Sequence, residues 1–192
     1  MAFLGRAELE AVGFKSIGDD VLISDRASIH GAERISINDH VRIDDFCVLS
    51  AGAGGIAIGS YIHIAVFCSI IGAAAITIED FANLSSRVSI YSSSDDYSGE
   101  TMTNPMVPDE FKAVDSRRVH IGRHVVIGSG SVVLPGVTLH DGAAVGALSF
   151  VRHDCEAFGI YVGNPARRVR DRRRDLLELE RRLVESPSDE PG

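Results

Sequence analysis

Aliphatic residues recur at every sixth position over most of this chain. The repeat is clearest from Ile121 to Glu156, where six blocks each begin with an aliphatic residue and carry a small or modest side chain four positions later. A period of six fits neither a helix nor a simple alternating strand, and it indicates a fixed internal repeat. It is typical of a prism-shaped parallel β-helix, in which each block gives one short strand and one corner. Since one coil cannot bury its inner face alone, the coils must stack.

The same phase extends back to Ile17, which gives six triplets of blocks. Their aliphatic positions are Ile17, Ile23, Ile29, Ile37, Ile43, Leu49, Ile58, Ile64, Ile70, Ile78, Leu84, Ile90, Ile121, Ile127, Val133, Leu139, Val145 and Val151. Extra residues between triplets always follow the third block, so they bulge from one corner. The long gap between Ile78 and Ile121 predicts a protruding loop at residues 91–118 on that corner. The pattern therefore predicts an all-β parallel β-helix of about six coils.

The flanks of the repeat region, residues 17–156, lack the period. Residues 1–16 are expected to form an N-terminal cap with a short helix from Arg6 to Gly13, because an uncovered coil end would be an exposed sheet edge. In the C-terminal segment, residues 157–192, the leucine spacing predicts an α-helix over residues 171–184. Residues 186–192 have the composition of a frayed tail.

Composition excludes several classes of protein. A chain of 192 residues is the size of one domain, and its net charge of −8 does not suggest a nucleic-acid partner. We expect a cytoplasmic protein without membrane insertion, because the chain has no signal-like segment and no apolar run of about 20 residues. Cys47, Cys68 and Cys155 all fall on inward corner positions, which favours small buried hydrophobes over redox chemistry.

The repeats, the loop and the closing sequence GIYVGNPARRV together resemble the hexapeptide-repeat acyltransferases over residues 17–170. Gly163–Arg167 matches the GxPA[KR] close of members that use acyl-CoA. The loop run YSSSDDYSG…MTNPMVP is similar to acetyltransferases of lipopolysaccharide and O-antigen biosynthesis that acylate nucleotide-linked amino-deoxy sugars. The resemblance implies a left-handed β-helix, a homotrimer with active sites between prisms, a small-molecule sugar substrate, and acetyl-CoA as cosubstrate.

The chain departs from the galactoside-type members of this family at three positions. The slot of their catalytic loop histidine holds Asp95, and the slots of their substrate-binding Asn and Asp hold Ala65 and Ala73. A sugar hydroxyl needs strong base assistance, whereas a sugar amine with a pKa of roughly 8 is partly free base at neutral pH. We therefore predict N-acylation, with a galactoside- or maltose-type O-acetyltransferase and a non-catalytic β-helix scaffold or binding protein as alternatives.

Candidate residues for chemistry lie on one outward column and on the loop. Stacking the coils places Arg42, His63 and Asn83 on consecutive rungs of one outer face. His63 and Asp95 are the predicted catalytic residues, with Asp95 holding the ammonium group or a neighbouring hydroxyl. Arg42, Asn83 and Asp96 are the predicted sugar ligands. The plainer alternatives are a solvated or interface histidine and a solvated loop.

The resemblance also implies a coenzyme A groove along the last two coils. Small side chains there let the backbone approach the pantetheine, and arginines can meet the phosphates. The implied coenzyme contacts are Ser129, Gly146, Ala147, Arg152, Arg167 and Arg168. The γ-class carbonic anhydrases bind zinc through three histidines, for which the candidates here are His63, His120 and His124. The spacing of these residues along the chain and their coil levels do not match that arrangement, so we predict no metal.

Overall fold

Three parallel sheets form the sides of a prism in the computed structural model, which describes residues 2–185. Successive strands lie on successive faces, so each strand pairs with strands one coil away rather than with its sequence neighbour. Ile58, for example, pairs with Ile37 below and Ile78 above. Each face stacks six parallel strands, and Gly159–Val162 begins a further turn on the second face. The predicted parallel β-helix of about six coils is confirmed, with a partial seventh turn.

The faces are numbered in the order in which the chain first visits them. The first face comprises Ser16–Ile17, Ile35–Ile37, Ile56–Ile58, Ile76–Ile78, Val119–Ile121 and Thr138–Leu139. The second comprises Val21–Ile23, Val41–Ile43, Ile62–Ile64, Asn83–Leu84, Val126–Ile127, Ala144–Val145, Gly159–Val162 and the antiparallel strand Arg167–Asp171. The third comprises Ser28–His30, Val48–Ala51, Ser69–Gly72, Ser89–Tyr91, Val132–Val133 and Phe150–Val151.

The interior of the prism is the column of aliphatics that the sequence pattern predicts. All of the predicted positions are buried except Ile17 and Ile29, which belong to the first coil and still pack against the core. The three cysteines are free thiols buried at inward corners. Burial, together with the charge of Asp154, raises the pKa of the Cys155 thiol to about 12. The interpretation of the cysteines as small buried hydrophobes is confirmed.

A short α-helix, α1 (Arg6–Val12), lies at the N-terminal end of the prism. Its Leu9 is buried in the core cluster, and Gly13 ends the helix in the left-handed conformation at φ +79°. The backbone N–H of Leu4 donates a hydrogen bond to the carbonyl of Ile23 in the first coil. The predicted N-terminal helix therefore exists and packs on the first coil.

The C-terminal segment differs from its predicted form. The helix predicted from residue 171 begins later, as α2 (Leu176–Glu185), and Arg167–Asp171 is instead a strand antiparallel to Gly159–Val162. The edge left by the partial seventh turn explains this, because its backbone groups gain partners from a returning strand. The predicted tail at 186–192 lies outside the described residues. Among residues 2–185 no helix combines the length and apolar character needed to span a bilayer.

The long loop leaves the third face and returns to the first, as predicted. Its two ends are joined by an antiparallel pair, Ser93–Ser94 with Asp115–Ser116, and a 3-10 turn at Asp109–Phe111 lies between them. The paired base fixes where the loop leaves the prism, so the residues that immediately follow Ser94 have a defined position.

Candidate active site

The polar column predicted on the second face is present in the structure. His63 pairs in register with Arg42 one coil below and with Asn83 one coil above. Adjacent strands of a sheet lie about 5 Å apart, so the three side chains occupy neighbouring rungs. The His63 side chain is 44% exposed, which leaves part of the imidazole open to a ligand.

Asp44, which the sequence pattern did not single out, lies beside this column. It follows the strand Val41–Ile43, and its backbone N–H donates to the carbonyl of Ile64. Its carboxylate accepts a hydrogen bond from Nε of Arg42 at 2.8 Å through Oδ1, while Oδ2 lies 2.9 Å from Nε2 of His63. One largely buried carboxylate thus connects two of the three predicted site residues. The signal available in the sequence was an acidic residue at an otherwise small corner position.

The environment of Asp44 favours its ionised form. Burial acts to raise the pKa of Asp44, but hydrogen bonds from Arg42 and His63, together with their charges, leave that pKa below its ordinary value. The carboxylate is therefore negatively charged at neutral pH and can only accept hydrogen bonds.

Asp95 lies in a different part of the same chain. It is exposed in the loop and lines a cavity of about 370 Å³ together with Tyr91, Val132 and Phe150. The loop leaves the third face, whereas His63 is on the second face. No described contact within residues 2–185 joins Asp95 to His63, so one chain alone does not assemble the predicted catalytic pair.

Asp96, a predicted sugar ligand, is engaged within the loop. Its Oδ1 accepts a hydrogen bond from the N–H of Ser98, and its Oδ2 accepts from both the N–H and the hydroxyl of Thr101. These hydrogen bonds lower the pKa of Asp96 to about 2. Both oxygens thus shape the loop, and a role for Asp96 as a sugar ligand stays a prediction.

Part of the predicted coenzyme groove is open to solvent, and part is covered by neighbouring backbone. Ser129 and Ala147 are exposed at the corner that follows the second face, on adjacent coils. Gly146, however, donates its backbone N–H to the carbonyl of Tyr161 at 2.8 Å. A Cβ on Gly146 would come within 2.7 Å of Val162. The Gly146 N–H is therefore already used by the partial seventh turn, and a coenzyme contact at Gly146 stays a prediction for the other atoms of this residue.

The predicted phosphate-binding arginines lie at the same end of the prism. Arg152, Arg167 and Arg168 are exposed. The guanidinium of Arg168 pairs with Asp171 and lies 3.7 Å from Glu156. Arg152 and Arg167 therefore offer the less neutralised positive charge to an anionic ligand.

The histidines considered for zinc have other partners. Nε2 of His124 lies 2.6 Å from Oε2 of Glu180 on α2, and His120 lies 3.5 Å from Glu79. Within residues 2–185 no group of three or more His, Cys, Asp and Glu side chains is arranged to hold a metal ion.

Comparison with known proteins places this site in a family. Residues 118–153 match the bacterial transferase hexapeptide family model of six repeats. The chain is 59% identical over 180 residues to the dTDP-4-amino-4,6-dideoxy-D-glucose acyltransferase of Escherichia coli, covering 94% of both chains. The chain belongs to the hexapeptide-repeat acyltransferases, and the predicted family is confirmed.

Solved structures of AntD, an N-acyltransferase from Bacillus cereus, have the same fold. A serine-to-alanine variant of AntD in complex with dTDP-4-amino-4,6-dideoxyglucose and coenzyme A is 41% identical, with a TM-score of 0.92 over 96% of this chain and 98% of that one. AntD in complex with dTDP and 3-hydroxybutyryl-CoA is 42% identical, with a TM-score of 0.90 over 95% and 96%. The left-handed β-helix implied by the sequence resemblance is confirmed.

Proposed function

We propose that the protein transfers an acyl group from acyl-CoA to the 4-amino group of dTDP-4-amino-4,6-dideoxyglucose or a close analogue. The observation that carries this proposal is the 59% identity to the E. coli acyltransferase over 94% of both chains. The complexes of AntD with the amino sugar and coenzyme A support the same substrate pair. The predicted class, an acyl-CoA-dependent sugar acyltransferase acting on an amine, is confirmed at this level by the comparisons.

The identity of the transferred acyl group is a separate point from the identity of the acceptor. Acetyl-CoA is the predicted donor, and the AntD complex with 3-hydroxybutyryl-CoA shows that a related site holds a longer acyl chain. The cavity beside Asp95 is lined by Val132, Leu134 and Phe150. These apolar side chains would favour the acyl end of a thioester over a charged group. We propose acetyl-CoA as the donor, and the test also includes longer acyl-CoAs.

The catalytic arrangement follows from the positions of the two predicted residues. In our proposal the protein is a trimer, and Asp95 of one copy meets His63 of the next in the cleft between prisms. Asp95 holds the ammonium group or a neighbouring hydroxyl, the ammonium loses a proton to solvent, and the resulting neutral amine attacks the thioester carbonyl. The C–N bond forms, the C–S bond breaks, and the proton released by the nitrogen passes through His63 or water to the departing sulfur.

Turnover with matched acceptors tests the function. Free thiol is measured with acetyl-CoA and longer acyl-CoAs, against dTDP-4-amino-4,6-dideoxyglucose and the analogue that carries a hydroxyl in place of the amine. We expect thiol release with the amine and little with the hydroxyl analogue. Release with hydroxyl sugars alone would favour the O-acetyltransferase alternative. Calorimetry that detected no coenzyme A binding would favour a scaffold protein.

A further inference from the structure

Asp44 has the geometry of a residue that acts through His63. Its side chain is only 8% exposed, although it lies at an outer corner of a narrow prism. The two carboxylate oxygens have separate partners, Arg42 for Oδ1 and His63 for Oδ2. A buried carboxylate costs free energy unless it is paired and hydrogen-bonded, and these two contacts supply both conditions.

The contact with Asp44 determines which nitrogen of His63 carries a proton. An ionised carboxylate only accepts hydrogen bonds, so Nε2 of His63 must be the donor in their 2.9 Å contact. In the neutral imidazole the other nitrogen, Nδ1, then carries the lone pair. Within residues 2–185 no hydrogen bond to Nδ1 of His63 is seen, and the ring is partly open to solvent. The atom able to accept a proton is thus the one left unoccupied.

We propose that Asp44 is a positioning residue, which holds His63 as the Nε2–H tautomer so that Nδ1 receives the proton from the attacking amine. This inference rests on the proposed function. In the step itself the amine nitrogen bonds to the thioester carbonyl carbon and loses a proton to Nδ1. The C–S bond then breaks, and the proton returns from Nδ1 to the thiolate of coenzyme A. Asp44 stabilises the imidazolium that exists between the two transfers.

Arg42 has a supporting part in this arrangement. Its guanidinium pairs with Oδ1 of Asp44, the oxygen that His63 does not contact, and it also lies 5.4 Å from the centre of the Phe3 ring. The positive charge keeps the carboxylate ionised. A protonated Asp44 could donate a hydrogen bond to His63 and would reverse the tautomer.

The tautomer is measured directly by nitrogen NMR. The full-length protein is labelled with ¹⁵N-histidine, and the His63 signals are assigned by their loss in His63→Gln. We expect the chemical shifts of a protonated Nε2 and an unprotonated Nδ1 in the wild type, and a mixture of tautomers in Asp44→Asn. A wild-type His63 protonated at Nδ1 would overturn the proposal, whether or not the variant folds.

Kinetics separates positioning from a purely structural role. We expect Asp44→Asn to lower kcat for the amine acceptor by about tenfold while KM changes by less than about twofold, because the variant impairs proton transfer rather than binding. In a His63→Ala background the same substitution should add little, since the two residues act as a unit. Equal losses in both backgrounds, or an unchanged kcat, would contradict the proposal.

Asp45 supplies the matched control. It is the adjacent carboxylate and is also largely covered, but it accepts a hydrogen bond from Ser24 and lies near Arg26 rather than His63. Asp45→Asn should leave the His63 tautomer and kcat unchanged. If wild-type His63 has the expected tautomer but no amine is turned over, the proposed function and the catalytic role of Asp44 are both refuted. The hydrogen bond between Asp44 and His63 would still stand.

Discussion

In the proposed mechanism, His63 takes the proton that the attacking amine sheds. We expect His63→Ala to slow acylation of the amine by less than the roughly 10²–10⁴-fold loss that follows removal of a general base. The reason is that the amine attacks as free base and needs help only in shedding its proton. The defect should shrink as pH rises and the acceptor loses its proton in solution. The pH–rate profile of the variant measures this, and a variant inactive at every pH would identify His63 as an obligatory base.

Arg167 is the second residue whose role can be measured alone. It is exposed at the C-terminal end of the prism, where the coenzyme phosphates are expected. Arg167→Ala should raise the Kd for acetyl-CoA by about tenfold or more, because a charge-assisted hydrogen bond is lost. Calorimetry checks this.

The control for Arg167 is Arg181→Ala, which removes the same charge from α2, where Arg181 pairs with Glu178. An unchanged affinity for acetyl-CoA in Arg167→Ala, or an equal loss of affinity in both variants, would show that the strand Arg167–Asp171 does not bind the coenzyme phosphates.

Residue roles were predictable from the sequence only where the repeat fixed a position. The six-residue period placed Arg42, His63 and Asn83 on adjacent rungs because each lies beside an inward aliphatic. It could not reveal that the Asp44 carboxylate contacts His63, since that contact depends on the direction of a side chain at a corner of the prism. Nor could it reveal that the Gly146 amide is used by the seventh turn, which has no hexapeptide signature.

At the scale of elements, polar contacts attach α2 and the residues just before it to the prism. Glu180 binds both Arg123 and His124, and Arg172 donates hydrogen bonds to the carbonyls of His124 and Gly142. Burial acts to raise the pKa of Glu180, but His124 and Arg123 leave it below the ordinary value of 4.5. A lowered pKa means that Glu180 stabilises docking above that value and loses the effect as pH falls through its folded pKa.

We expect the helix to loosen selectively in acid. Hydrogen-exchange protection of α2 should fall as pH drops below about 4.5, while α1 keeps its protection. Glu180→Gln should lower the protection of α2 at neutral pH and remove most of its pH dependence. Parallel loss of protection in both helices would indicate global unfolding rather than release of α2.

Some elements are specified by the six-residue repeat, and others form only because of the structure around them. The strands and the protruding loop follow from the period of six and its interruptions. The strand Arg167–Asp171 does not, because it opens an arginine-rich run that continues into the leucines of α2, and arginine and leucine both favour helix locally. It becomes a strand since the outer edge of Gly159–Val162 would otherwise be unpaired, and α2 begins only after that edge is covered.

For the whole molecule, the separation of His63 and Asp95 on different faces predicts a shared site. If the protein is the proposed trimer, refolding or co-expressing His63→Ala and Asp95→Ala subunits together should restore activity above either parent. Random mixing would leave roughly a quarter of the clefts with both residues intact. Activity no greater than the average of the parents would place both residues in one subunit. A monomer by light scattering would contradict the trimer itself.

The chemical identity of the product tests the central claim most directly. Acetyl-CoA labelled with ¹³C at the carbonyl is incubated with the protein and dTDP-4-amino-4,6-dideoxyglucose, and the product is examined by NMR. We predict a labelled amide carbonyl coupled to the nitrogen at position 4, formed in step with free coenzyme A. A labelled ester on a sugar hydroxyl, or free acetate without any sugar product, would contradict N-acylation by this protein.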